Sequence, residues 1–209
     1  MGVNGPTITI AAADIGSIKA GNFGWALERS AGPRYQGTDI DEFCTAIAES
    51  IDSGETVCLG FEAPLFVPVR DVAINVASAR KGEGNRSWSA GAGTGALATG
   101  LVESLYIFRQ LKQFCSTSIS PTFQWGHAIA GQANLFIWEA FVTADAKGSS
   151  HEDDAILALE KFKSGLPNPE TLNAIEPEGT FSLVGAVLIR SGLTADLDLL
   201  GEPALVVKV

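Results

Sequence analysis

No apolar run in the 209-residue chain reaches the roughly 18 to 20 residues that a bilayer-spanning helix requires, although 46% of the residues are hydrophobic. A membrane protein is not expected. The opening Met1-Gly2-Val3-Asn4-Gly5-Pro6 has neither a basic cluster nor a long apolar core, so no secretory signal or transit peptide is expected, and a cytoplasmic location is the default. Cysteine is scarce. Cys44, Cys58 and Cys115 are odd in number, far apart and set in apolar periodic segments, where a thiol behaves as a small buried hydrophobe. A disulfide framework and a zinc site are both disfavoured. Basic residues are also few: 14 Lys and Arg against 24 Asp and Glu give a formal charge of −10. That charge opposes coating of duplex nucleic acid, which is driven largely by neutralisation of phosphates. The balance is uneven along the chain, because the segment from Arg70 to Lys112 holds six basic residues against three acids, a local +3.

The length suits one α/β domain over residues 1–209. Thr7 to Asp14 is β-branched, then small and apolar, and ends on an acid before Ile15-Gly16, as a buried strand entering a turn does. Asn22 to Glu28 alternates, as an antiparallel hairpin partner should, and a short third strand is expected near Arg34-Tyr35-Gln36. Ile40, Phe43, Cys44, Ile47 and Ile51 recur at helical spacing behind Asp39 and Glu42, which have capping-box spacing. Glu55 to Glu62 is a second apolar strand ending on an acid. A helical crossover returns the chain in the same direction, so it should lie parallel to the first.

Periodicity then fails from about residue 67 to 95, where glycines accumulate among Ser, Asn and Arg. This reads as a long, mobile, functional loop. A helix is expected from Ala96 to Cys115 with Leu97, Leu101, Leu105, Phe108 and Leu111 on one face, then a buried strand from Leu135 to Val142 carrying Glu139. Ser149 to Asp154 opens another helix. A helix over Thr180 to Arg190 and a strand over Ala204 to Val207 complete the pattern.

Four acids stand out by position: Asp14, Glu62, Glu139 and Asp154. An ionised carboxylate beside a core is costly unless it is paired or bound to a metal, and ligands of open α/β sheets collect at the carboxyl ends of parallel strands. Acids gathered there suit one or two Mg²⁺ or Mn²⁺ ions, which can activate water and stabilise the leaving oxygen of a phosphodiester. Asp153 has capping-box spacing from Ser150, so Asp154 is the metal-facing choice, with Asp153 as its substitute. His151 reads as a helix-start residue rather than a ligand. Arg70, Arg80 and Arg86 are candidates to hold substrate phosphates.

Asp14 ending the first strand, Gly60-Phe61-Glu62-Ala63-Pro64-Leu65 after the first helix, Glu139 on a late strand, and His151-Glu152-Asp153-Asp154-Ala155 opening a helix resemble the predicted ribonuclease H-like nuclease family, related in fold to RuvC-type resolvases. The resemblance implies a mixed sheet, an antiparallel hairpin plus parallel strands, flanked by helices. It also implies a metal-dependent nuclease with a two-metal carboxylate mechanism, acting on nucleic acid or another phosphorylated substrate. Two rivals accompany it. One is a non-catalytic binding or scaffold module of the same fold. The other is an actin-like or sugar-kinase-type nucleotide-binding protein, which needs two lobes where this chain has length for one.

Overall fold

The computed structural model describes residues 6–30, 32–84, 87–142, 146–176 and 178–209. Its frame is a mixed sheet that starts with β1 (Ile8–Asp14), β2 (Gly24–Arg29) and β3 (Arg34–Gly37), an antiparallel meander in which Asp14 pairs with Gly24. Helix α1 (Ile40–Asp52) is capped by Asp39, whose carboxylate accepts the amides of Asp41 and Glu42. It carries the chain over to β4 (Thr56–Phe61), which runs parallel to β1 as the apolar crossover pattern predicts.

Beyond β4 lie a three-residue strand β5 (Phe66–Pro68), the long helix α2 (Ala92–Phe114), the short β6 (Pro121–Thr122) and α3 (Trp125–Ile129), and then β7 (Leu135–Phe141), parallel to β4. Helix α4 (His151–Ser164), strand β8 (Thr180–Ser182), helix α5 (Leu183–Ser191) and strand β9 (Leu205–Lys208) follow. The main sheet runs β3-β2-β1-β4-β7-β6, with β9 also pairing β7, while β5 and β8 form a separate antiparallel pair. The protein is therefore an α/β fold whose mixed sheet, an antiparallel meander plus parallel strands, is flanked by helices. The order β3-β2-β1-β4-β7 is consistent with the ribonuclease H-like fold.

Alternation along β1 splits the core between the two faces of the sheet. Ala11 and Ala13 join Phe43, Ile47, Ile107, Phe108 and Leu188, under α1, α2 and α5. Ile10 and Ala12 join Phe136, Trp138, Ala158, Leu159 and Phe162, under α4. Gly60 in β4 has no side chain because Trp138 lies across it; a Cβ there would stand 2.4 Å from the indole. The three cysteines are free thiols, Cys44 and Cys58 buried and Cys115 half-buried. No helix among the described residues is long and apolar enough to cross a membrane.

Two boundaries depart from the sequence reading. Helix α2 starts at Ala92, four residues earlier than expected. Gly93 permits this, since a Cβ there would meet the Ser87 carbonyl oxygen at 2.3 Å. The tail segment expected to be helical from Thr180 begins instead with β8, and Ser182 then caps α5 by accepting the Gly185 amide.

Candidate metal centre

Asp14, at the carboxyl end of β1, is 4% exposed. Gly24 is its partner across the hairpin, and a Cβ on Gly24 would lie 2.3 Å from the backbone of His151. The missing side chain lets the first turn of α4 sit directly against the strand pair. His151 thereby brings its Nδ1 into contact with Asp14 Oδ2. Three residues on, and so on the same helix face, Asp154 also turns inward and is 4% exposed. One ligand atom from each of Asp14, His151 and Asp154 can lie within 4.8 Å of the other two, so the group could hold a metal ion.

Glu62 follows β4 and is registered beside β1 by its amide, which donates to the Ala13 carbonyl at 2.8 Å. Burial raises its carboxyl pKa to about 9, assisted by the charge of Asp14 and by a shared proton between the two acids. Its Oε2 is buried and has no hydrogen-bond partner among the described residues. Lys147 stands opposite. Its Nζ is 3.2 Å from Asp154 Oδ2 and 3.7 Å from Glu62 Oε1. Burial alone would depress its pKa, but Glu62, Asp14 and Asp154 together raise it, so the ammonium stays charged. The next residue's amide, Gly148 N–H, donates to Asp154 Oδ1 at 2.6 Å. Asp153 points away, accepts from the Ser149 amide and hydroxyl, and has its pKa lowered by those bonds.

Asp14, Glu62, Lys147 and His151 line a cavity of about 620 Å³, which Trp88 and the first turns of α2 also line. The Trp88 indole N–H donates to the Ser78 carbonyl at 3.1 Å, which fixes the ring. No family model, curated protein or solved structure matches the chain. What the site can do rests on this geometry.

Glu139 lines the same cavity but lies outside the Asp14, His151 and Asp154 group. It holds Arg80 by two bonds, at 2.8 and 2.5 Å, and accepts the Leu65 amide at 2.9 Å. Arg80 is 4% exposed, also bonds Glu83 at 2.8 Å, and stacks on Phe66. Its guanidinium is thus engaged inside the protein instead of facing solvent from a free loop. Arg70 pairs with Glu178 and donates to the Ala79 carbonyl. Arg86 lies outside the described residues.

Three neighbours of the site are not marked as such in the sequence: His151 has the position of a helix-start residue, and Lys147 belongs to no motif. Glu103, inside α2, is 6% exposed, accepts from the Gly16 amide and keeps an unpartnered Oε2; burial lifts its pKa to about 7, with Asp14 adding to the rise.

Proposed function

We propose that the chain is a divalent-metal-dependent phosphodiester hydrolase of the ribonuclease H-like kind. The observation that carries this reading is the convergence of Asp14 from β1, Glu62 after β4, and Asp154 with His151 from α4 at the carboxyl ends of adjacent parallel strands.

The donor set fits a metal. Three acids crowded together, with burial and the charges of Asp14 and Asp154 holding the Glu62 carboxyl up and one Glu62 oxygen unpartnered, leave a cation-sized need that the protein's own groups only partly meet. Oxygen donors suit Mg²⁺, and the added imidazole makes Mn²⁺ at least as suitable. Asp14, Asp154 and His151 would hold the ion, with Glu62 giving up its proton as the site fills. Such an ion supplies a Lewis acid and a bound water of lowered pKa. Lys147 would face a non-bridging phosphate oxygen, and Trp88 would wall the cavity against bulk water. Glu139 and Arg80 would shape that cavity. With an overall charge of −10 and a cavity of about 620 Å³, short, single-stranded or branched nucleic acid suits the site better than long duplex.

The test is Asp14→Asn. Wild type should melt higher as Mn²⁺ rises into the millimolar range, because an ion bound only by the folded state stabilises it by mass action. Asp14→Asn should lose most of that shift and any phosphodiesterase activity, while melting higher than wild type in EDTA by about 1 kcal/mol through relieved repulsion. A scaffold of the same fold would show no specific Mn²⁺ shift in either protein, and that result rejects the reading.

A further inference from the structure

We propose that Lys147 is the second cation of this centre, so that the site takes one divalent ion rather than two. The inference rests on the reading above. It is carried by where the ammonium stands: within 3.2 Å of Asp154 and 3.7 Å of Glu62, inside the same cavity as Asp14 and His151.

The place of the ammonium sets the number of ions. Two ions assisting phosphodiester cleavage sit roughly 3.5 to 4 Å apart, each held by carboxylates. Here Lys147 Nζ already stands between Asp154 Oδ2 and Glu62 Oε1, the place that a second ion bridging those two carboxylates would need, and each Asp154 oxygen keeps a lone pair for the first ion. Neither described arginine of the neighbouring loop takes this part, since Arg80 is enclosed by Glu83 and Glu139 and Arg70 is paired with Glu178. Lys147 remains half-exposed at 43%, so its head group can reach both the carboxylates and a phosphate entering the cavity.

Mn²⁺ binding by the full chain decides the matter, read by titration calorimetry for stoichiometry and by electron paramagnetic resonance for coupling between ions. Wild type should bind one ion and show an isolated Mn²⁺ spectrum. Lys147→Met keeps the stem and removes the charge. It should either bind a second ion, with a spin-coupled spectrum, or bind the first about tenfold more tightly or better, because a like charge beside the ion is gone. Lys147→Arg should keep one ion at near wild-type affinity, and it serves as the folding control. A wild type that binds two coupled ions would overturn the role of Lys147 while leaving the metal centre intact. So would a Lys147→Met protein that matches wild type in both number and affinity. Absence of specific Mn²⁺ binding in wild type would instead defeat the hydrolase reading, and this inference with it.

Discussion

Replacing Glu62 by Gln should make the metal-free protein more stable, and increasingly so as pH rises. An unfolded Glu releases its proton above about 4.5, whereas the folded Glu62 keeps it until about 9. Between those values the folded state binds the extra proton, so stability falls as pH increases. At pH 7 the window already crossed is about 2.5 pH units, each worth about 1.4 kcal/mol, which sets a ceiling near 3 kcal/mol. Lys147, able to move toward an ionised Glu62, will reduce this, and about 1–3 kcal/mol is expected. For a chain of this length that is a rise in melting temperature of about 2–10 °C. Thermal melts in EDTA at pH 5 and pH 8 should show wild type losing stability across the interval and Glu62→Gln losing much less. The remaining slope belongs partly to Glu103, whose own window closes near pH 7. In Mn²⁺ the order should reverse, because the ion requires the ionised carboxylate. Parallel pH profiles for the two proteins in EDTA would refute the burial and repulsion assigned to Glu62.

Gly24→Ala should cost about 1–3 kcal/mol by forcing the α4 backbone off the strand, and should weaken Mn²⁺ binding several-fold because His151 and Asp154 ride on that helix. Unchanged Mn²⁺ affinity by calorimetry would show that α4 placement is not set there. Arg80→Met should destabilise by about 3–5 kcal/mol in urea unfolding, since Glu83 and Glu139 would be left buried and unpaired. A loss below 1 kcal/mol would mean the triad is not shielded from solvent as its burial indicates.

The strand-borne acids were readable because each terminates or follows a purely apolar run: Asp14 after Ala11-Ala12-Ala13, and Glu62 after Leu59-Gly60-Phe61. Parallel pairing of β1 and β4 followed from the helix between them. On α2 the expected apolar face packs on the core, with Phe108 and Leu111 inside it and Leu101 and Leu105 against it, but small and polar residues extend the buried stripe. Gly100, Glu103, Ser104, Ile107, Phe108 and Leu111 are buried, whereas Leu101 and Leu105, which look like core, are only partly so. Gly100 is needed there, as a Cβ would press on Ala63 at 2.5 Å. No sequence pattern marks Glu103 as buried among them. The place of His151 depends on an absent side chain at Gly24, far away in sequence, which no local pattern encodes. Glu139 was recognised as a buried acid, yet its partner Arg80 lies in a stretch without periodicity, so a buried pair and a metal ligand look alike from sequence. Strands β5, β6 and β8, two or three residues each, are too short to show a period.

The enclosed Arg80 has a consequence for which parts of the chain can be rebuilt. Its guanidinium joins the segment before α2 to the middle of β7, so that segment belongs to the same cooperative unit as the sheet and cannot be swapped or lengthened near Arg80 without stranding Glu139. The freedom lies just upstream. Val69, Val72, Ile74 and Val76 are all more than half exposed, so this short stretch is where insertions, tags or a grafted recognition loop can be carried beside the cavity wall while the carboxylates keep their places.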